Sequence, residues 1–239
     1  MSIIDTPKSE TSEDWRPKDL EMISHLEVFQ NKPAILKKVE SRLTKLKEAM
    51  ALELLPCVAQ LPSGTNIEKG QIARGENHNG FPFLSLDIPQ NFSKNEMYTY
   101  RTLFWWGHYL GFSLILKGDK LKTYFERLAE NCSKPHFQNI YLSQASTPWE
   151  WRLGQQYFIP VSDQQAWAEK SNLLDYMKVM RFYSIDDASF KELDWTQAGV
   201  KFWKDMSPVC LGKRAFSNKS YQVYCFCTYT KRSVQRTLL

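Results

Sequence analysis

The twenty residues from Tyr98 to Lys117, YTYRTLFWWGHYLGFSLILK, constrain what this chain can fold into more than any other stretch. Aromatic, β-branched and aliphatic residues dominate it, and such side chains fit the pleated, half-buried surface of a sheet. Gly107 and His108 divide it into two arms of about eight residues, close to the usual strand length. Along the first arm Tyr98, Tyr100, Thr102, Phe104 and Trp106 fall on one face, and Thr99, Arg101, Leu103 and Trp105 on the other. Both faces carry large apolar groups, so the pattern predicts a hairpin at the centre of a sheet with at least one face well covered. Burying each ring is worth roughly 1.5–3 kcal/mol. A single helix from Ser93 to Trp105 is the competing arrangement; the aromatic load and Gly107 favour strands.

The flanking patterns supply the remaining elements. Ile35, Leu36, Val39, Leu43, Leu46, Met50 and Leu54 recur at helical spacing and predict a helix over 31–55, with Pro33 in its first turn and Pro56 ending it. Its apolar stripe is expected to pack on the chain's own sheet rather than on a second copy. A shorter helix is expected from Pro17 to Phe29. Leu61 to Gly80 carries turn chemistry with a short strand at 71–74, and Asn79-Gly80 signals a hairpin into the alternating run Phe83 to Ile88, closed by Pro89. Ser93 and Glu96 have capping-box spacing, with Phe92 and Met97 as a staple around a short helical turn. Further helices are predicted at 119–131, 163–174 and 190–206, and further strands at 138–143, 177–185 and 221–229. An extended loop over 146–154 would set Trp149 and Trp151 on one side. Strands that follow one another with short turns predict an α+β fold, a mainly antiparallel sheet built around the 98–117 hairpin with helices packed on it.

With 239 residues, 43% of them hydrophobic, and eight Trp, the chain can fill a sizeable core. No repeat or linker divides it, so the expected organisation is a polar, poorly ordered lead-in over 1–16, one domain over 17–210, and a basic segment over 211–239 that adds a strand and a tail. No run of 18 apolar residues exists, which argues against a membrane-spanning helix. The first residues lack the basic start and apolar block of a secretory signal. Five irregularly spaced Cys suit a reducing compartment, so a cytoplasmic protein without membrane association is expected. The net charge of +5 is uneven: eight of the 31 basic residues and one of the 26 acidic ones lie in 201–239, leaving −2 for the rest.

The chemistry-bearing patterns are mostly absent. There is no glycine-rich phosphate cradle, no zinc-ligand spacing and no nucleophile elbow, so neither cofactor nor metal is expected. Cys225 and Cys227, on one face of a strand, read as small buried hydrophobes. What remains is a possible gathering of Arg74, His78, Arg101 and His108 near the bend end of the sheet, beside Trp105 and Trp106. Guanidinium forks there would suit a small anionic ligand. The expectation is therefore a protein that binds such a ligand or a protein partner. One alternative is an enzyme using His78 or His108 as general base, oriented by Asp87 or Glu76. A second is nucleic-acid binding through the basic, aromatic-bearing segment after Leu211.

Overall fold

The hairpin at 98–117 forms as expected, and the rest of the sheet is built outward from it. The computed structural model describes residues 13–212. Its strands are β1 (Gln71–His78), β2 (Phe81–Phe92), β3 (Met97–Trp105), β4 (Tyr109–Lys117), β5 (Tyr141–Ser143), β6 (Phe158–Pro160) and β7 (Met177–Ser184). They make one sheet in the order β1-β2-β3-β4-β7-β5-β6, antiparallel at every pairing. β3 and β4 pair without a break from Met97 with Lys117 to Trp105 with Tyr109. Gly107 takes a φ of +73° at their turn, a conformation glycine adopts without steric cost. The β1–β2 turn uses Asn79 and Gly80 at φ 52° and 89°, the two positive values that a twist-matched two-residue hairpin needs.

Two local expectations are revised by pairing across strands. β2 does not stop at Pro89 but runs to Phe92. The register shifts between Asp87 and Gln90, so the proline sits where the ladder is already irregular and its missing amide is not needed. Ser93 does accept the Glu96 amide, at 2.9 Å, but inside the β2–β3 hairpin loop rather than a helical turn. Phe92 and Met97 are cross-strand partners, not a staple.

Five helices, α1 (Pro17–Ser24), α2 (Leu26–Leu54), α3 (Leu121–Asn131), α4 (Gln164–Ser171) and α5 (Trp195–Cys210), complete the described residues. α2 starts before Asn31, so Pro33 is interior; it is exposed, where water can serve the carbonyl it leaves unpaired. The stripe Leu36, Val39, Leu43, Leu46, Met50 and Leu54 is buried, and it joins Phe202, Trp203 and Met206 of α5 against Leu84, Tyr100, Phe112 and Leu114 of the sheet. Gly199 lets α5 approach closely: a Cβ there would lie 2.7 Å from Leu46 Cδ1. The Tyr100 hydroxyl donates to the Gly199 carbonyl at 2.9 Å. Asp163 and Asp194 cap α4 and α5 by accepting the amides of Ala166 and Gln197.

The other face of the sheet has a smaller core of Leu103, Trp105, Tyr109, Ile115, Trp151, Phe158 and Met180. A strap over residues 144–157 covers it. No helix of the described residues is long and apolar enough to cross a membrane. The expected strand at 221–229, the basic segment beyond Gly212 and the first twelve residues of the lead-in lie outside the described residues.

Candidate functional site

The alternation of β3 places Trp105 and Arg101 on the strap side, and the β1–β2–β3 register then fixes the rest. Gly75 pairs with Phe83, which pairs with Trp105; Arg74 pairs with Leu84, which pairs with Phe104. Arg74 therefore belongs to the helix side, where it bonds Glu76 at 3.0 Å and Glu76 in turn accepts from Lys32 of α2 at 2.6 Å. Trp106, half-buried, packs on the helix-side core. His78, Trp105 and His108 do come together. The His108 ring stacks on Trp105 with centroids 3.8 Å apart, His78 meets Trp105 edge-on at 5.1 Å, and the Trp105 indole N–H donates to the His78 carbonyl at 3.2 Å. The Nε2 atoms of both imidazoles are buried without a hydrogen-bond partner. Burial holds the His78 pKa below its ordinary value.

Arg101 lies four residues along β3 from this cluster and is committed elsewhere. Its Nε and Nη2 donate to the two oxygens of Asp87, each at 2.7 Å. The Trp149 ring covers the guanidinium at 4.8 Å and Trp151 stands at 5.9 Å, so both strap tryptophans turn to the same side. The strap is held by side-chain donors from the sheet. Just before β7, Tyr176 donates its hydroxyl to the Ala145 carbonyl at 2.7 Å, with that of Thr147 at 3.1 Å; Tyr109 donates to the carbonyl of Trp151 at 2.6 Å, and Lys178 to those of Pro148 and Glu150. Lys178 is fully buried, a position a lysine takes only when its ammonium is well partnered.

A concave site lies at the bend end of the sheet, on the free side of β7. β7 pairs with β4 along its whole length, and Tyr109 faces Ser184 next to the bend. β5 pairs with β7 only at Val179 and Met180, so the edge from Arg181 onward faces the turn at 135–139 and α5 instead of a strand. The result is a groove of about 580 Å³ whose wall includes His136, Asn139, Tyr141, Arg181, Tyr183 and Lys201. Arg181 is nearly buried; it donates to the His136 carbonyl at 2.7 Å and to Asp205 at 3.1 Å, with Phe202 under its guanidinium at 5.7 Å. Lys201 also bonds Asp205, at 2.9 Å, while its side chain stays 59% exposed. Asp205 thus joins the two converging cations, and with Asp187 also on the groove wall the formal charges balance. Asp187 accepts both the amide and the hydroxyl of Ser189, at 2.8 and 2.7 Å. Asn139 holds a φ of 60°, uncommon outside glycine and a feature of shaped loops. A second hollow of about 970 Å³ shares Tyr183 and Lys201 and continues along α5.

Hydroxyl, amide and cationic donors outnumber carboxylates in the smaller groove, an arrangement that suits a carboxylate or phosphate. Arg181 was not among the residues expected from sequence. The available signal was its place in β7: Met177, Val179, Arg181 and Tyr183 share a face, and only Arg181 breaks the inward apolar run. No family model matches the chain, no curated protein matches its sequence, and no solved structure matches its fold.

Proposed function

We propose that the protein binds a small anionic ligand in the groove beside the unpaired end of β7. The observation that carries this reading is the convergence of nearly buried Arg181 and exposed Lys201 on one concave wall, where a single carboxylate, Asp205, serves both. Arg181 supplies a guanidinium already fixed by the His136 carbonyl, which lowers the ordering cost of binding. Lys201 supplies an exposed charge at the mouth, and Asn139, Tyr141 and Tyr183 supply neutral polar groups. Binding is favoured over general-base catalysis because the two carboxylates nearest the imidazoles in sequence are engaged by cations, Glu76 by Arg74 and Lys32 and Asp87 by Arg101. Three buried free thiols, Cys57, Cys132 and Cys210, fit the reducing setting of the cytoplasm.

A thermal-shift screen with phosphate, dicarboxylates, tricarboxylates and nucleotides tests the proposal, since a ligand that binds only the folded state raises the melting temperature by mass action. The expected result is a shift with at least one anion class that shrinks with added salt. Identical melting temperatures across all of them would overturn it.

A further inference from the structure

We propose that the β7 groove holds a short extended peptide with free ends, laid antiparallel along the unpaired end of β7. The proposal rests on the anion-site reading and deepens it, since the peptide's terminal carboxylate is the anion. Four consecutive β7 residues, Arg181, Phe182, Tyr183 and Ser184, line the groove, so one wall is the edge of a strand. The phase of the ladder fixes which main-chain groups face it. The Ile185 amide donates to the His108 carbonyl at 3.3 Å, and the unbroken register puts Tyr183, Arg181, Val179 and Met177 in the same hydrogen-bonded relation to β4. Met180, Phe182 and Ser184 therefore turn their amides and carbonyls the other way. The far side of the sheet gives the same phase. The Val161 amide donates to the Ile140 carbonyl at 2.8 Å, which leaves Tyr141 to face Met180.

β5 serves Met180 and goes no further. Had its register continued, Asn139 would lie opposite Phe182, but the chain leaves the lane there with a φ of 60°. Among the described residues nothing bonds the Phe182 amide, the Phe182 carbonyl or the Ser184 amide. Donors and acceptors alternating at strand spacing are matched by the main chain of an extended peptide, as in strand addition to an open edge. Charge sets the direction. At one end Arg181, Lys201 and Asp205 leave one positive charge over. At the other stands Asp187, whose amide bonds the Ser184 carbonyl at 3.3 Å. Both Ser189 bonds fall on its Oδ1, which leaves Oδ2 to a ligand. Antiparallel to β7, a tripeptide sets its first residue beside Ser184, with the ammonium toward Asp187. Its last residue then lies beside Phe182, with the carboxylate toward Arg181 and Lys201. The reverse direction would bring like charges together at both ends. Such a tripeptide spans about 7 Å between its end Cα atoms, and a longer one would run into Ile140, where β5 enters the lane.

Thermal shift and isothermal titration on the full chain test the proposal, with trialanine and its variants carrying Leu, Phe or Lys in the middle. Concentrations up to about 5 mM reveal even a millimolar Kd. At least one of these peptides is expected to bind and to raise the melting temperature by mass action. Three modified forms of it are expected to bind about fivefold or more weakly: the N-acetylated peptide, the C-terminal amide, and the peptide methylated on its last amide nitrogen, which loses its bond to the Phe182 carbonyl. These changes are made in the peptide, so the fold of the protein is not at stake. In Lys201→Glu the parent peptide is expected to bind more weakly and amidation to cost nothing further. Equal affinity of the parent and any of the three modified forms overturns the proposal, as does an amidation penalty that persists in full in Lys201→Glu. Failure of all four peptides also overturns it; if phosphate or a dicarboxylate still shifts the melting temperature, the anion-site reading stands, and if none does, both fall.

Discussion

The Lys178 ammonium nitrogen stands 4.0 Å from the centre of the Trp151 ring, beneath a strap whose carbonyls it bonds. Burial pushes its pKa from the ordinary 10.5 down to about 7, against the pull of Glu150 and with a smaller push from Arg101. Between pH 7 and 10 the unfolded chain keeps this proton while the folded chain sheds it, so stability rises with pH across that window. The cost of the buried charge is full and constant below pH 7. Urea unfolding should show the wild type gaining about 2 kcal/mol from pH 7 to 9, and Lys178→Met lacking that gain. Parallel pH profiles would show that Lys178 does not change its protonation on folding.

The Asp87–Arg101 pair is bidentate and mostly shielded by Trp149 and Trp151. Asp87→Ala leaves a guanidinium stranded there and should cost about 3–5 kcal/mol in chemical denaturation. Replacing both partners with apolar residues, Asp87→Leu/Arg101→Met, should recover most of the loss. A double variant as unstable as the single one would mean that the stranded charge is not the cause.

His78 titrates in the opposite part of the range. Because burial lowers its folded pKa, the unfolded chain takes up the proton first as pH falls below the ordinary histidine value. Stability contributed by the neutral ring is therefore present above that value and lost in acid. The drop in melting temperature between pH 7.5 and 5.5 should be smaller in His78→Gln than in wild type; an equal drop would assign the acid sensitivity to other groups.

The α2–α5 seam tolerates little extra volume. A Cβ on Gly199 would stand 3.0 Å from Phe112 as well as 2.7 Å from Leu46. Gly199→Leu should destabilise by about 1–3 kcal/mol through overpacking, while Gly199→Ala, which needs small shifts of the Leu46 methyls and the Phe112 ring, should cost less. Equal stability of all three, measured by denaturant midpoint, would mean that the helices part freely.

The central hairpin was legible because its alternation is strong and Gly107 punctuates it; the same holds for Asn79-Gly80 and for the Leu36–Leu54 stripe. Element ends were less legible. Pro33 and Pro89 read as boundaries, but an exposed helix turn and a register shift each removed the need for the proline's amide. The buried cations were the least legible of all. Lys178 is satisfied by strap carbonyls some thirty residues away, and Arg181 by Asp205 and the His136 carbonyl, contacts with no local signature. Arg74 and Arg101 looked equivalent by spacing, yet the strand register sends them to opposite faces.

Isothermal titration of the anion that gives the largest thermal shift, into wild type and into Lys201→Glu, tests the β7 groove most directly, with exposed Lys45→Glu on α2 as the control for net charge. The account predicts at least tenfold weaker binding for Lys201→Glu, about 1.4 kcal/mol or more, and wild-type binding for Lys45→Glu. Unchanged affinity in Lys201→Glu, or an equal loss in both variants, would contradict it.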